Sequence, residues 1–361
     1  MSSNLQEKLN DLVPNLMKKY RVAGCSLSLI WGDRVNITNF GYKCSKKKIK
    51  VNDGTQFQIA SISKALSALG VLKLHQNGLV DLDMPISVYI SRWKFPDTKY
   101  DCSKVTLRNV LCHTSGLGVP HYFGIHPDKP LHSIEESLDG RRFFIKKGLS
   151  LEYPPGKKFF YSGGGYTLLQ LVIEEVTGKS FSEYMKKEIF APFGMEQSGY
   201  FATETTSKSY LFGSFELPCY KFTEKAAAGL FSTTGDLSKY VAAHLNHTDE
   251  CIGGLRRDII HSMQNRVYRQ FPYGLGMQVN VLPNGHKLVM HRGINIGWSA
   301  RIMAIPKEQV GIVLLTNSTT GEKLISQVFY TWLSALCGKI PGSYHKSLCI
   351  NSSVFSLFNF K

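Results

Sequence analysis

A serine and a lysine one helical turn apart can form an activated nucleophile, and Ser61-Ile-Ser-Lys64 has that spacing. Residues i and i+3 of a helix point the same way. A lysine held beside a serine and partly desolvated can be neutral near pH 7, and can then take the hydroxyl proton. The positive end of the helix dipole favours negative charge developing on the serine oxygen. Ser-x-x-Lys occurs four times, at Ser45, Ser61, Ser91 and Ser343. Three of these lie in a lysine run, before Phe-Pro, and at a Pro-Gly turn. Only Ser61 follows a short apolar strand, Phe57-Gln-Ile-Ala60, and opens a long amphipathic helix. Read without chemistry, the same serine is a helix N-cap.

Two other groups have the chemistry to assist. Tyr161-Ser162-Gly163 follows the turn Tyr153-Pro-Pro-Gly156 and precedes a helix. A tyrosine at such a corner can carry a proton to a leaving group, or it can be a packed aromatic. His291-Arg292-Gly293 falls on a late strand. Alternation puts His291 and Gly293 on one face and Arg292 on the other. Glycine there would let a ligand backbone approach closely; the plain alternative is an edge-strand histidine beside a bulge.

The elements that must position these groups follow from periodicity. Leu5, Leu9, Leu12, Leu16 and Met17 predict an amphipathic first helix, with a possible kink at Pro14. Cys25–Ile30 and Arg34–Phe40 predict a hairpin. Helices are predicted over 61–77 with Gly78 as the stop, over 168–177, from the capping box Ser180-Phe-Ser-Glu183, and over 236–245. The end of the chain returns to strands at 273–282, 286–291, 298–305 and 310–317, and closes with a helix carrying Leu324, Val328, Trp332 and Leu336. Strands at both ends and helices between them predict an α+β fold. One antiparallel sheet is built from both chain ends and flanked by terminal helices, with a mostly helical lobe inserted. A cleft where sheet meets lobe is a natural place for chemistry.

Composition bounds the alternatives. The 361 residues are 43% hydrophobic and 19% charged, which fits a globular chain and excludes a disordered or fibrous one. No apolar run is long enough to span a membrane, and the polar start Met-Ser-Ser-Asn lacks a signal core. The net charge of +16 is scattered apart from Lys46–Lys50. That run reads as a solvated hairpin edge, and no nucleic-acid motif accompanies it. Eight cysteines form no C-x-x-C pair and no His cluster has zinc spacing, so no metal is expected and reduced thiols are the default. Cys25 and Cys112 read as small core residues.

Taken in order, Ser-x-x-Lys, Tyr-Ser-x and His-x-Gly resemble the serine β-lactamase and penicillin-binding protein superfamily. The likeness is to its class C β-lactamase-like branch, with D-alanyl-D-alanine carboxypeptidase, D-aminopeptidase and esterase relatives. Further stretches fit that branch: Val105–Leu117, Pro155–Leu169, Ile173–Gly178 through Met195, Ala228–Leu237 and Tyr273–Gly276. The resemblance covers about residues 5–335. It implies a β-lactamase/transpeptidase-like fold in one domain, 1–337, followed by a tail, 338–361. The α/β lobe would comprise about 1–60 and 210–337, and the helical lobe about 61–209.

The resemblance also implies a serine hydrolase that needs no cofactor and forms an acyl-enzyme on Ser61. Its substrate would be a small-molecule or peptide-like amide or ester. Lys64 and Tyr161 would be the other catalytic groups. The backbone N–H groups of Ser61 and Ile294 would form an oxyanion hole, and His291, Gly293 and Gly163 would bind substrate. Two departures bear on activity. Gly163 stands where many relatives have asparagine, and His291 stands where β-lactamases have lysine. A class C-like β-lactamase is therefore the weaker variant of this reading, and a catalytically silent binding or scaffold homologue is the reading from another class. Loop residues 118–150, including His121, Tyr122 and Arg141, are expected to shape the pocket. A cytoplasmic location is expected from the polar N-terminus.

Overall fold

Strand β1 (Gly24–Trp31) is buried on both faces, and its side chains show why. Cys25, Leu27 and Leu29 point into one apolar layer. Ser28, on the opposite face, accepts a 2.8 Å hydrogen bond from Ser238 of the helix that covers that side. A strand sandwiched in this way needs small or apolar residues throughout, so the alternation here is of larger apolar side chains against small serines.

The computed structural model describes residues 3–141, 148–245 and 248–338. In chain order the elements begin with α1 (Ser3–Tyr20), β1, β2 (Arg34–Cys44), β3 (Ile49–Lys50), β4 (Phe57–Gln58) and α2 (Ile62–Gln76). The middle contains α3 (Leu107–Leu111), α4 (Ile134–Leu138), α5 (Gly163–Thr177), α6 (Phe181–Met185), and the hairpin β5 (Ser209–Leu211) and β6 (Phe215–Leu217). Then come α7 (Lys225–Ala228), β7 (Phe231–Ser232), α8 (Thr234–Leu245), β8 (Cys251–Ile252), β9 (Leu255–Arg256) and α9 (Arg257–Met263). The chain finishes with β10 (Gln278–Val281), β11 (Lys287–Asn295), β12 (Trp298–Ile305), β13 (Val310–Thr316) and α10 (Gly321–Cys337).

The expected α+β architecture is present. Among the described residues seven strands form one antiparallel sheet in the order β10-β11-β12-β13-β1-β2-β3. Strands from the two chain ends meet where β1 pairs with β13, Leu27 opposite Leu314. Helices α1 and α10 cover one face, burying Leu9, Val13, Phe329 and Trp332 against Leu27, Met303 and Ile312. A buried ion pair between Arg301 of β12 and Glu322 of α10 lies in the same layer. The other face carries α8 and, beyond it, the helices of the middle of the chain. Cys25 and Cys112 are buried, and the lysine run forms the turn to the edge strand β3. No described helix is long and apolar enough to cross a membrane.

Several boundaries differ from expectation. Helix α1 continues through Pro14. Helix α2 is buried nearly all round rather than along one stripe, because it runs through the middle of the larger core. Helix α5 starts at Gly163, well before residue 168, with Ser162 as its N-cap. Three successive glycines make a poor helix start by propensity. They are accommodated because Pro120, Leu149 and Val110 occupy the places where side chains would go. At α6 the Ser180 hydroxyl accepts from the Glu183 N–H. The strand expected over 273–282 is regular only over 278–281, since the preceding residues turn at Gly276 (φ +93°) and Tyr273 bridges Gln278. The tail from residue 339, including Ser343 and Cys349, lies outside the described residues, as do residues 142–147 of the loop.

Trp332 is wholly buried between α10 and the sheet. Trp332→Ala is expected to lower unfolding free energy by about 3–5 kcal/mol in a urea titration, through lost contacts and an unfilled cavity.

Candidate active site

The corner that presents Ser61 is conformationally constrained. Strand β4 pairs with β7 rather than with the main sheet, Phe57 opposite Ser232. Ala60 then takes a left-handed conformation (φ 49°), and α2 begins. The Ser63 hydroxyl donates to the Ala60 carbonyl at 2.5 Å and accepts from the Leu230 N–H at 3.0 Å, which holds the turn. Ser61 stands at the N-cap position, but its side chain makes no capping hydrogen bond. The hydroxyl instead accepts a 3.2 Å hydrogen bond from Lys64 Nζ. Among the described residues the Ser61 N–H enters no turn or cap hydrogen bond.

Lys64 is 2% exposed. Its Nζ also donates to the Ala227 carbonyl at 2.7 Å. Among the described residues no carboxylate pairs with it. Burial therefore lowers its pKa from the ordinary lysine value to about 7. Tyr161 and Tyr166 present their rings 5.0 and 5.9 Å from Nζ. Burial pushes the Tyr161 phenol up to about 12, opposed by a hydrogen bond with Ser61 and by the charge of Arg292. Serine, lysine and tyrosine thus meet at one point.

Tyr161 is fixed by His113, a residue that motif spacing alone did not single out. The Phe160 N–H donates to the His113 carbonyl at 2.8 Å, and the Ser162 N–H donates to His113 Nδ1 at 3.1 Å. The two chain neighbours of Tyr161 are therefore both tied to one histidine, whose ring lies 4.2 Å from the tyrosine ring. Because Nδ1 accepts, the ring proton sits on Nε2. Burial and the nearby Lys64 hold this imidazole far below its ordinary pKa. The available sequence signal is His113-Thr-Ser-Gly116, inside the stretch Val105–Leu117.

The third group differs from expectation. His291 is buried and both ring nitrogens are engaged within the protein. Nδ1 donates to the Arg292 carbonyl at 2.9 Å, so Nε2 accepts the 2.8 Å bond from Tyr273 Oη. Burial, with the charge of Lys64, depresses it to about 3. It is a neutral residue behind the site rather than a cation facing it. The space at Gly293 is taken by the protein itself: a Cβ there would lie 2.0 Å from the Ile59 carbonyl oxygen and 3.0 Å from the Ser61 nitrogen. Glycine therefore allows β11 to press against the Ser61 corner. A Cβ at Gly163 would meet the Pro120 carbonyl at 3.0 Å and the Tyr122 ring at 3.1 Å, so no larger side chain fits without movement. Arg292 stands at the sheet edge, because β10 pairs only as far as Met290; its charge is still felt by Tyr161 and His121.

Ser61 and Lys64 open onto a cleft of about 60 Å³. Ile294, Asn295, Gln58, His121, Tyr122 and Phe123 contribute to its walls. Arg141 is exposed at the end of α4 and lies outside this lining. Two of the other Ser-x-x-Lys serines lie within the described residues: the Ser91 hydroxyl donates to Glu175, and the Ser45 N–H donates to Tyr210. Among the described residues no group of three or more His, Cys, Asp or Glu could hold a metal ion.

Comparisons with known proteins point the same way. The family model described as Beta-lactamase matches residues 9–334. Protein flp of Staphylococcus aureus (strain MW2) is 25% identical over 333 residues, covering 88% of this chain and 64% of its own length. The chain thus spans somewhat under two thirds of that relative. The octameric penicillin-binding protein homologue from Pyrococcus abyssi is 26% identical with a TM-score of 0.76, covering 93% of this chain and 78% of that one. The Beta-Lactamase/D-Alanine Carboxypeptidase from Pseudomonas syringae shares the fold, with a TM-score of 0.76 at 17% identity, over 92% of this chain and 99% of that one.

An uncompensated buried lysine makes stability depend on pH. Its folded pKa of about 7 lies below the unfolded value near 10.5, so between those values the unfolded chain binds the extra proton. The lysine contribution to stability therefore rises from pH 7 to 10.5 and is flat below 7. Lys64→Met is expected to melt higher than wild type at pH 7, with the gap closing towards pH 10, in thermal unfolding at the two pH values.

Proposed function

The chain belongs to the beta-lactamase family, and on that premise we propose that it is a serine hydrolase that forms an acyl-enzyme on Ser61 and cleaves a small amide or ester. The carrying observation is the Lys64 ammonium, buried with no carboxylate partner among the described residues, brought near pKa 7 and hydrogen-bonded to Ser61.

In this reading neutral Lys64 takes the hydroxyl proton as Ser61 Oγ bonds to the substrate carbonyl carbon. The N–H groups of Ser61 and Ile294 hold the oxyanion. Each such donor is worth about 3–4 kcal/mol in the transition state. As the bond to the leaving oxygen or nitrogen breaks, the Tyr161 phenol gives that atom its proton and is reprotonated from Lys64. Burial keeps the phenol protonated at neutral pH, which suits a donor. Water then repeats the sequence in reverse on the acyl-enzyme, releasing the acid and restoring Ser61.

The neutral, internally bonded His291 speaks against efficient β-lactam hydrolysis, where a cation would grip the substrate carboxylate. A purely structural homologue would gain nothing from keeping a lysine buried at a cost to stability. The same proposal treats residues 1–337 as one domain whose two lobes meet at the Ser61 cleft. The seven described cysteines are all unpaired, which supports a reducing, cytoplasmic setting.

Ser61→Ala is expected to lower kcat/KM for p-nitrophenyl esters by at least about 10⁴-fold, and Tyr161→Phe by about 10²–10⁴-fold. The wild-type kcat/KM should rise with pH through a single limb centred near 7, the lysine value. A limb absent over pH 5–9, or a Ser61→Ala enzyme as active as wild type, refutes the assignment.

A further inference from the structure

One wall of the cleft is a built aromatic surface. Residues 120–125 and 220–222 are joined by paired hydrogen bonds between Ile125 and Lys221, 2.8 Å each way. A Cβ at Gly124 would lie 2.5 Å from Tyr220 Cβ and 3.0 Å from Phe222 Cζ, so the two segments are in close contact. Tyr122 is anchored by a 2.7 Å hydrogen bond between its hydroxyl and Thr167, which lays its ring over Gly163. Phe123, by contrast, is 41% exposed and lines the mouth of the cleft. A solvent-facing phenylalanine in a catalytic cleft is an apolar contact waiting for a ligand.

The polar side chains of the cleft are largely committed elsewhere. Gln58 donates to the Tyr220 carbonyl at 3.0 Å and accepts from Asn295 Nδ2 at 2.7 Å. Asn295 also donates to the Ala228 carbonyl at 3.2 Å. His291 is turned inward onto Tyr273. Of the lining residues only Lys64 is a lysine or arginine, and it is engaged with Ser61 and Ala227. Arg292 is not among the lining residues. Among the described residues that line this space, a substrate carboxylate would meet no lysine or arginine besides Lys64, and a carboxylate left without a partner is strongly unfavourable in a largely apolar cleft.

We propose that this cleft selects an uncharged, apolar acyl group over one bearing a carboxylate, and that Phe123 and Tyr122 set the preference. The inference rests on the reading of Ser61 as the acylated nucleophile. The substrate class is a neutral carboxylic ester or amide whose acyl chain lies along the Tyr122–Phe123 wall. The cleft beside that wall is small, which suits a short chain, with any longer group running out past Phe123.

The test compares p-nitrophenyl valerate with mono-p-nitrophenyl glutarate, acyl donors of similar length ending in a methyl group or a carboxylate. Diisopropyl fluorophosphate, which phosphorylates a reactive serine with loss of fluoride, is run beside them and Ser61 is checked by intact mass. The expected kcat/KM favours valerate on the order of 100-fold. Phe123→Ala should lower the valerate-to-acetate ratio about tenfold, and Phe123→Lys should raise the glutarate-to-valerate ratio. Thermal melting checks that both variants fold, as an exposed position should allow. Labelling of Ser61 together with equal or faster turnover of glutarate overturns the selectivity and leaves the hydrolase reading intact. A valerate preference that neither Phe123 variant changes overturns the assignment to this wall. Absence of labelling and of turnover overturns both readings.

Discussion

The site depends on one unfavourable act of burial. Lys64 is enclosed by the middle of the molecule with a hydroxyl and a carbonyl as its hydrogen-bond partners and, among the described residues, no carboxylate to balance it. A paired lysine would stay charged, and an exposed one would titrate near its ordinary value. Only a lysine deprived of both water and a counter-ion can stand near neutrality beside a serine. The surroundings are consistent with that demand. His113, His121 and His291 lie close enough to be affected by the lysine charge, and all are held neutral by burial. One titrating cation sits among groups that do not compete for its proton.

Placing that lysine against Ser61 requires backbone segments to approach more closely than side chains normally allow. The left-handed turn at Ala60, the Ser63 bonds to Ala60 and Leu230, and the missing side chain at Gly293 together bring β11 against the start of α2. The glycines that open α5 do the same for the tyrosine side, letting the 117–122 segment lie directly on the helix. In this molecule the glycine at the third position of each late motif is better explained by chain packing against chain than by room for substrate.

That packing also gives the cleft its character. With Tyr122 over Gly163 and His291 drawn back onto Tyr273, the space beside Gly163 is filled and the imidazole is turned away from the cleft. What remains facing Ser61 is largely aromatic and aliphatic, held by hydrogen bonds that satisfy the polar groups internally. The Ser61–Lys64 pair and the aromatic wall of the cleft thus have separate origins: one comes from a turn of helix, the other from two loops bridged at Ile125 and Lys221.

Much of this was legible in the amino-acid order. The hairpin β1–β2, strands β12 and β13 and helix α10 follow from short-range periodicity, because a residue's neighbours along the chain decide which side faces the core. Ser61 and Lys64 were legible for the same reason, being one helical turn apart. The contact of Tyr161 with that pair, the capture of its neighbours by His113, and the inward turn of His291 were not. Each depends on residues tens to hundreds of positions apart meeting in three dimensions. Local order determined which chemical groups the chain possesses and which elements carry them. Only the tertiary structure decided which of those groups lose water, which lose their charge and which face the open cleft, because burial and pairing belong to the assembled core and not to any one segment.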